Sequence, residues 1–184
     1  MSIMVAARTV FLREGHAGLS MRMVAVEAGI ALGNLSYYFP SKRSLLEAML
    51  QEELADYVDA HLREVSGEEQ SALAILLNVV TFYIANARQS HQFFLQMWGY
   101  AASDPNAREL VRNLYRPIGR FILALVKEAN PGLSEMRARQ IVLQIFSLEE
   151  GVKLFIALGA DGDTALETAE SDMRDLVRRI VQAG

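Results

Sequence analysis

Cysteine is missing from this chain of 184 residues. Without thiols there is no disulfide framework, no cysteine-based zinc site and no thiolate nucleophile, and the chain suits a reducing compartment. Helix breakers are few, 4 prolines and 12 glycines against 52% apolar residues, so the chain can bury a substantial core and disorder is not expected. Long uncharged apolar runs are also lacking: none reaches roughly 18 residues. The opening residues MSIMVAARTVF place no basic segment ahead of an apolar one. Neither a membrane span nor export is expected, and a cytoplasmic address follows.

Catalytic patterns are equally sparse. The three histidines, His16, His61 and His91, stand far apart without metal-ligand spacing. There is no glycine-rich phosphate loop and no G-x-S-x-G, and the DGD at 161–163 reads as a loop with a helix cap. No enzyme activity, metal or cofactor is expected. The net charge of −4 argues against general affinity for polyanions, yet its distribution is uneven. Residues 1–50 carry five basic against three acidic side chains, the remainder 13 against 19.

What is present is helical spacing throughout. Ile3, Ala6, Ala7, Val10 and Phe11 repeat on one face of a segment 3–14 that Gly15 should end. Ser20 is placed to cap a short helix 21–28, closed by Gly29, and a third helix of about 32–39 follows after two linking residues. Two short helices joined by a glycine-containing turn form a helix-turn-helix. A fourth helix starts at Ser41 and runs to about Val65, with Leu45, Met49, Tyr57, His61 and Leu62 at helical spacing and Val58 beside them. The polar SGEEQS at 66–71 marks a boundary. Further helices are expected at about 69–88, 91–102, 105–129, 135–159 and 164–182, started by Asp104-Pro105, Ser134 and Asp163 and broken by Pro131-Gly132 and Asp161-Gly162. No strand pattern or internal repeat stands out.

The third helix lies in the stretch ALGNLSYYFPSKRSLLEAML, residues 31–50. Leu35 and Phe39 can turn inward, leaving Leu32, Gly33, Asn34, Ser36 and Tyr37 on or near the outer face. Such a face suits a DNA groove. Small residues allow close approach, Asn34 can pair bidentately with adenine, and an exposed aromatic can touch thymine methyls. Tyr38, Lys42 and the helix start at Ser41 would serve phosphates, and Arg22 could reach a base edge or the backbone.

Residues 3–50 resemble, without a gap, the DNA-binding domain of the tetracycline-repressor (TetR) family of bacterial transcription regulators. The resemblance is carried by Ala7, Phe11, Gly15, Ser20, Ala25, Ala28, Gly29, Gly33, Leu35, Tyr38, Phe39, Lys42, Leu45 and Leu46. It implies a ligand-responsive repressor that holds a pseudo-palindromic double-stranded operator as a homodimer, with DNA contacts from Ser20, Arg22, Leu32, Gly33, Asn34, Ser36, Tyr37, Tyr38 and Lys42. Departures exist as well. Ala31 stands where relatives carry Ser or Thr, so the third helix lacks a good N-cap; Leu32 replaces a basic residue or proline, and Ser36 a frequent tyrosine. The chain also begins almost at its first helix, without the basic arm of many relatives, which implies modest affinity or a start further upstream.

The segment 135–159 is apolar nearly all round and must be covered on more than one side, and the last helix carries a stripe at Leu166, Ala169, Met173, Leu176, Val177, Ile180 and Val181. By resemblance these two helices form the dimer interface. The middle helices are rich in bulky side chains, and the resemblance implies an effector pocket among them, drawn here as Tyr83, Asn86, Phe94, Met97, Trp98, Tyr115, Phe146 and Glu150. Adjacent Glu149 and Glu150 point about 100° apart, so at most one should face a ligand, and a small, mostly apolar molecule is expected. The expected architecture is all-α with about nine helices, a helix-turn-helix DNA-binding domain at 1–48 and a ligand-binding and dimerisation domain at 49–184. The alternative is a small-molecule-binding helical module that recognises a protein partner instead of DNA.

Overall fold

Serine hydroxyls open many of the helices. Ser2, Ser20, Ser71 and Ser134 each accept from the backbone N–H three residues on, and Ser41 does the same for Ser44 at 3.0 Å. Each cap satisfies one of the orphan N–H groups of a helix start and contributes about 1 kcal/mol. The computed structural model describes residues 2–65, 71–159 and 166–183, the side chains of 56–65 excepted. Among these residues it is all-α, with no strand: α1 Ile3–Gly18, α2 Met21–Ala28, α3 Leu32–Tyr38, α4 Lys42–Val65, α5 Ala72–Ala85, α6 Ala87–Ser103, α7 Pro105–Ala129, α8 Glu135–Ala157 and α9 Ala169–Gln182. The expected positions Tyr57, Val58, His61 and Leu62 lie outside the described side chains. The 66–71 linker up to Gln70, and the DGD with its Asp161-Gly162 break and Asp163 cap, lie outside the described residues.

Several helix limits differ from the spacing-based expectation for identifiable reasons. Gly15 adopts φ 67° and ψ 176°, which ends the first regular spiral as expected; beyond this kink a further helical turn carries α1 to Gly18. The left-handed φ disfavours a side chain there, and a Cβ would stand 2.8 Å from Gln96 Oε1, so the end of that side chain would have to shift. The helix expected to run to residue 88 stops at Ala85, because Asn86 turns back and donates its amide Nδ2 to the Phe82 carbonyl at 2.9 Å, after which α6 starts at Ala87. The last helix begins at Ala169 rather than 164.

The chain divides into two compact units, Met1–Asp59 with Gln92–Leu114, and Ala60–His91 with Tyr115–Gly184. In the first, α1 packs on α2 and α2 on α3 around a core that includes Ala7, Phe11, Leu19, Val24, Leu35 and Leu46, all buried. From α6, Phe93 meets Phe11 edge-on at 6.0 Å, and Tyr100 stacks on His16 at 5.0 Å. In the second unit α5, α8 and α9 pack on one another, with Leu76, Val80, Ile141, Ile145, Val177 and Val181 at the centre. Polar ties hold α9 there: Arg174 donates to Asn78 and Thr81 on α5, and Asn130 donates to the Val181 carbonyl at 2.8 Å.

Candidate functional site

Helix α2 closes at Gly29, whose φ of 71° lets its N–H and that of Ile30 fold back onto the carbonyls of Val26 and Ala25. That tight turn delivers α3 against α2. Helix α3 has seven residues and buries one, Leu35, which is 0% exposed. Leu32, Gly33, Asn34, Ser36, Tyr37 and Tyr38 are all exposed, Tyr37 to 82%, and a Cβ at Gly33 would meet nothing within 4 Å. Tyr37 and Tyr38 brace one another edge-on at 5.2 Å. A seven-residue helix is too short to hold itself in water. Leu35 fixes it, and the rest of its surface is available for contact. As its sequence implies, α3 starts at Ala31 with no side-chain cap.

Around this face, Arg22 on α2 is exposed, while Ser20 is half-buried and spends its hydroxyl on the Met23 N–H. At the start of α4, Ser41 and Ser44 cap one another reciprocally, Ser44 Oγ accepting from the Ser41 N–H at 3.1 Å. Lys42 donates through Nζ to the Ala17 carbonyl at 3.3 Å, which ties α4 to the end of α1 and leaves two ammonium protons for an anion. All nine residues expected to touch DNA belong to the first unit.

The residues expected to line a pocket are divided. Phe94, Met97 and Trp98 belong to the first unit, with the rings of Phe94 and Trp98 at 5.9 Å; Tyr83, Asn86, Tyr115, Phe146 and Glu150 belong to the second. Within the second, Tyr115 joins two of the others: its hydroxyl donates to Glu150 Oε1 at 2.9 Å and its ring meets Phe146 at 5.8 Å. Asn86 has its amide nitrogen engaged by Phe82.

Two neighbours outside the expected lining complete this cluster. Lys153, 1% exposed, donates to Glu150 Oε2 at 3.0 Å. Glu149, 2% exposed, has an oxygen, Oε1, without a hydrogen-bond partner. Burial pushes its carboxyl up to about 8; the Lys153 charge opposes this and the Glu150 charge adds to it. Tyr83, buried on α5, has its phenol pushed up first by burial and then by the charges of Glu149 and Glu150, which places it in the field of both carboxylates. Two carboxylates and one ammonium leave the cluster one negative charge in excess when Glu149 ionises. A cleft of about 340 Å³ on the same unit has the opposite sign, with Arg116, Arg120 and Arg139 beside Leu123, Leu143 and Phe146. Among the described residues no three histidine, aspartate or glutamate side chains gather closely enough to hold a metal ion, and no single helix is long and apolar enough to cross a membrane.

Comparison with known proteins agrees with this geometry. Residues 3–49 match the family model for bacterial regulatory proteins of the tetR family. The HTH-type transcriptional regulator BetI of Vibrio vulnificus strain YJ016 is 30% identical over 167 residues, covering 87% of this chain and 81% of its own. BetI of Vibrio atlanticus strain LGP32 is 28% identical over 166 residues, 87% of this chain and 80% of its own. Among solved structures, a transcriptional regulator of Saccharomonospora viridis in complex with choline superposes with a TM-score of 0.79 at 19% identity, covering 96% of this chain and 93% of that one. FadR of Bacillus subtilis in complex with stearoyl-CoA gives 0.78 at 17%, covering 95% of each chain.

Proposed function

Because the chain belongs to the tetR family of bacterial regulatory proteins and is a DNA-binding transcriptional regulator, we propose that it works in the cytoplasm as a homodimeric repressor that leaves its operator when a small molecule binds. Residues 1–48 are the DNA-binding domain in this reading and 49–184 the effector-binding and dimerisation domain. The observation that carries it is the α3 surface, a short helix with one buried anchor and six exposed residues suited to a major groove. Asn34 reads a base, Arg22 and Tyr37 flank it, and Tyr38 and Lys42 hold phosphates. Two copies of α3 enter successive major grooves with centres roughly 34 to 36 Å apart.

Self-pairing is supported by α8, which exposes Met136, Leu143 at 67% and Phe155, with Leu158 just past its end exposed to 72%. Among the described residues nothing covers these side chains, and a two-fold partner would do so. A charge at Leu176, half-buried on α9, should cost the dimer about 3 to 5 kcal/mol by leaving an unpaired charge in the interface. Sedimentation of Leu176→Glu as an unchanged folded dimer would move the interface elsewhere.

The effector is a small molecule with a largely apolar body, and within the second unit Tyr83, Asn86, Tyr115, Phe146 and Glu150 are the side chains this reading gives it. The fold does not choose its chemistry, since the two superposable regulators above were solved with ligands as different as choline and stearoyl-CoA. The test of the DNA reading is fluorescence anisotropy on duplexes from the intergenic DNA beside the gene. Asn34→Ala should cost about 1 to 3 kcal/mol on the operator and relax preference at one base pair, whereas Lys42→Ala should weaken all duplexes alike and lower the salt slope by about 1. A protein that binds no duplex, or an Asn34→Ala variant that binds like the parent, would remove α3 as the reader.

A further inference from the structure

Glu149 is left unused by the reading so far. It lies in the interior of the second unit on the α8 face that also buries Ile145, Val152 and Ile156, none of which can donate a hydrogen bond. The ammonium of Lys153 is drawn to Glu150, which already accepts from Tyr115, and Glu149 Oε1 has no partner. A carboxylate kept out of water with an oxygen unpaired is costly, and a well-packed apolar side chain would serve α8 better if structure were its only purpose.

Resting on the effector-binding reading, we propose that the effector is an organic cation, an ammonium or quaternary ammonium compound whose charged head pairs with Glu149. Three features favour that class over neutral or anionic ligands. Once Glu149 is ionised, a cation supplies the counter-charge missing among the described residues, which hold two carboxylates and one ammonium here. An anion would find the Lys153 ammonium already drawn to Glu150. Tyr83, set in the field of both carboxylates, brings an aromatic ring on which alkylammonium groups can rest. The apolar body expected from the aromatic side chains is then the tail of the molecule and Glu149 its anchor.

A proton follows from the same arrangement. Burial holds the Glu149 carboxyl up to about 8, so near neutral pH it is largely protonated in the free protein and must lose its proton to pair with a cation. Among the described residues, the charged and titratable groups that bear on this region are Tyr83 from α5, Glu150 and Lys153 from α8 and Tyr115 from α7, while Arg174 on α9 is engaged by Asn78 and Thr81. Cation affinity should therefore rise with pH towards 8 and level off above it.

Calorimetry on the full chain tests this with tetramethylammonium, choline and benzyltrimethylammonium, against 3,3-dimethylbutan-1-ol, the uncharged isostere of choline, and against octanoate. At least one cation should bind about tenfold or more tighter than the uncharged isostere and release close to one proton at neutral pH, read from two buffers of different ionisation heat. Glu149→Gln should lose about tenfold or more of that affinity and the proton release, while its thermal midpoint is equal to or above that of the parent. Overturning results are a series in which no cation binds, cations that bind no tighter than the isostere, or a Glu149→Gln variant that binds them equally. If Glu149→Gln does not fold, proton release by the parent decides. Operator release measured alongside separates the two readings. Duplex binding relieved by octanoate or the neutral alcohol but not by cations sinks this inference and keeps the repressor, whereas absence of duplex binding sinks the repressor and leaves calorimetry to judge the cation site.

Discussion

Helix α3 has seven residues and buries one of them; α8 has 23 and buries seven, a glutamate and a lysine among them. The first is a display element. Its stability is borrowed from a neighbour through Leu35, so every other position can be chosen for what it touches outside. The second is a structural element with charged groups placed where structure alone would not put them. In the proposed reading, side chains exposed on α3 and side chains buried on α8 serve recognition for opposite reasons: water must be able to leave the first surface on contact, and has already left the second.

The largest effect expected on this contrast is at the single anchor. Leu35→Ala should cost about 2 to 5 kcal/mol by leaving a cavity where α3 packs on α2, and should loosen α3 enough to abolish operator binding while the second unit stays folded. Denaturant titration followed by far-ultraviolet dichroism measures it; a loss below about 1 kcal/mol would show that α3 has another hold.

Next comes the interior acid. Glu149 has a folded-state value of about 8 against an ordinary 4.5, so between these values the folded protein binds more protons than the unfolded chain. Stability contributed by the neutral carboxyl is therefore present at low pH and falls as pH rises through that window, at up to about 1.4 kcal/mol per pH unit for one full proton of difference. Glu149→Gln should flatten that slope relative to the parent. Thermal midpoints of the two proteins across the window provide the check, and parallel curves would return Glu149 to an unremarkable environment.

The smallest effect sharpens the display side. Since α3 begins without a side-chain cap, Ala31→Ser should raise the stability of the first unit by about 1 kcal/mol without altering which sequences are bound. A changed base preference would mean that residue 31 itself touches DNA.

Much of the first unit was legible because its signals are local. Ser20 and Gly29 bound α2 as their chemistry requires, and α7 runs Pro105–Ala129 as Asp104-Pro105 and the following break implied. Where the reading slipped, a neighbour intervened. Gly15 stops the first regular spiral as a glycine there should, but a further helical turn to Gly18 follows the kink, which spacing did not foresee. Asn86 is unremarkable in a helical pattern until its amide turns back on Phe82 and divides α5 from α6. In the acidic cluster, helical angles did separate Glu149 from Glu150, yet spacing could not say that the inner one would be Glu149 or that Lys153 would be buried beside it.

By itself, then, the sequence determined the all-helical class, the helix-turn-helix within residues 3–50 and the identity of its outward side chains, since caps, positive-φ glycines and a four-residue spacing act over a few residues of contiguous chain. Only the tertiary structure decided which polar groups are buried and whether they are paired. The partner of Glu150 on α7 lies 35 residues earlier, and Arg174 finds Asn78 from 96 residues away. The cost of a buried charge depends on everything packed around it, which no local pattern encodes.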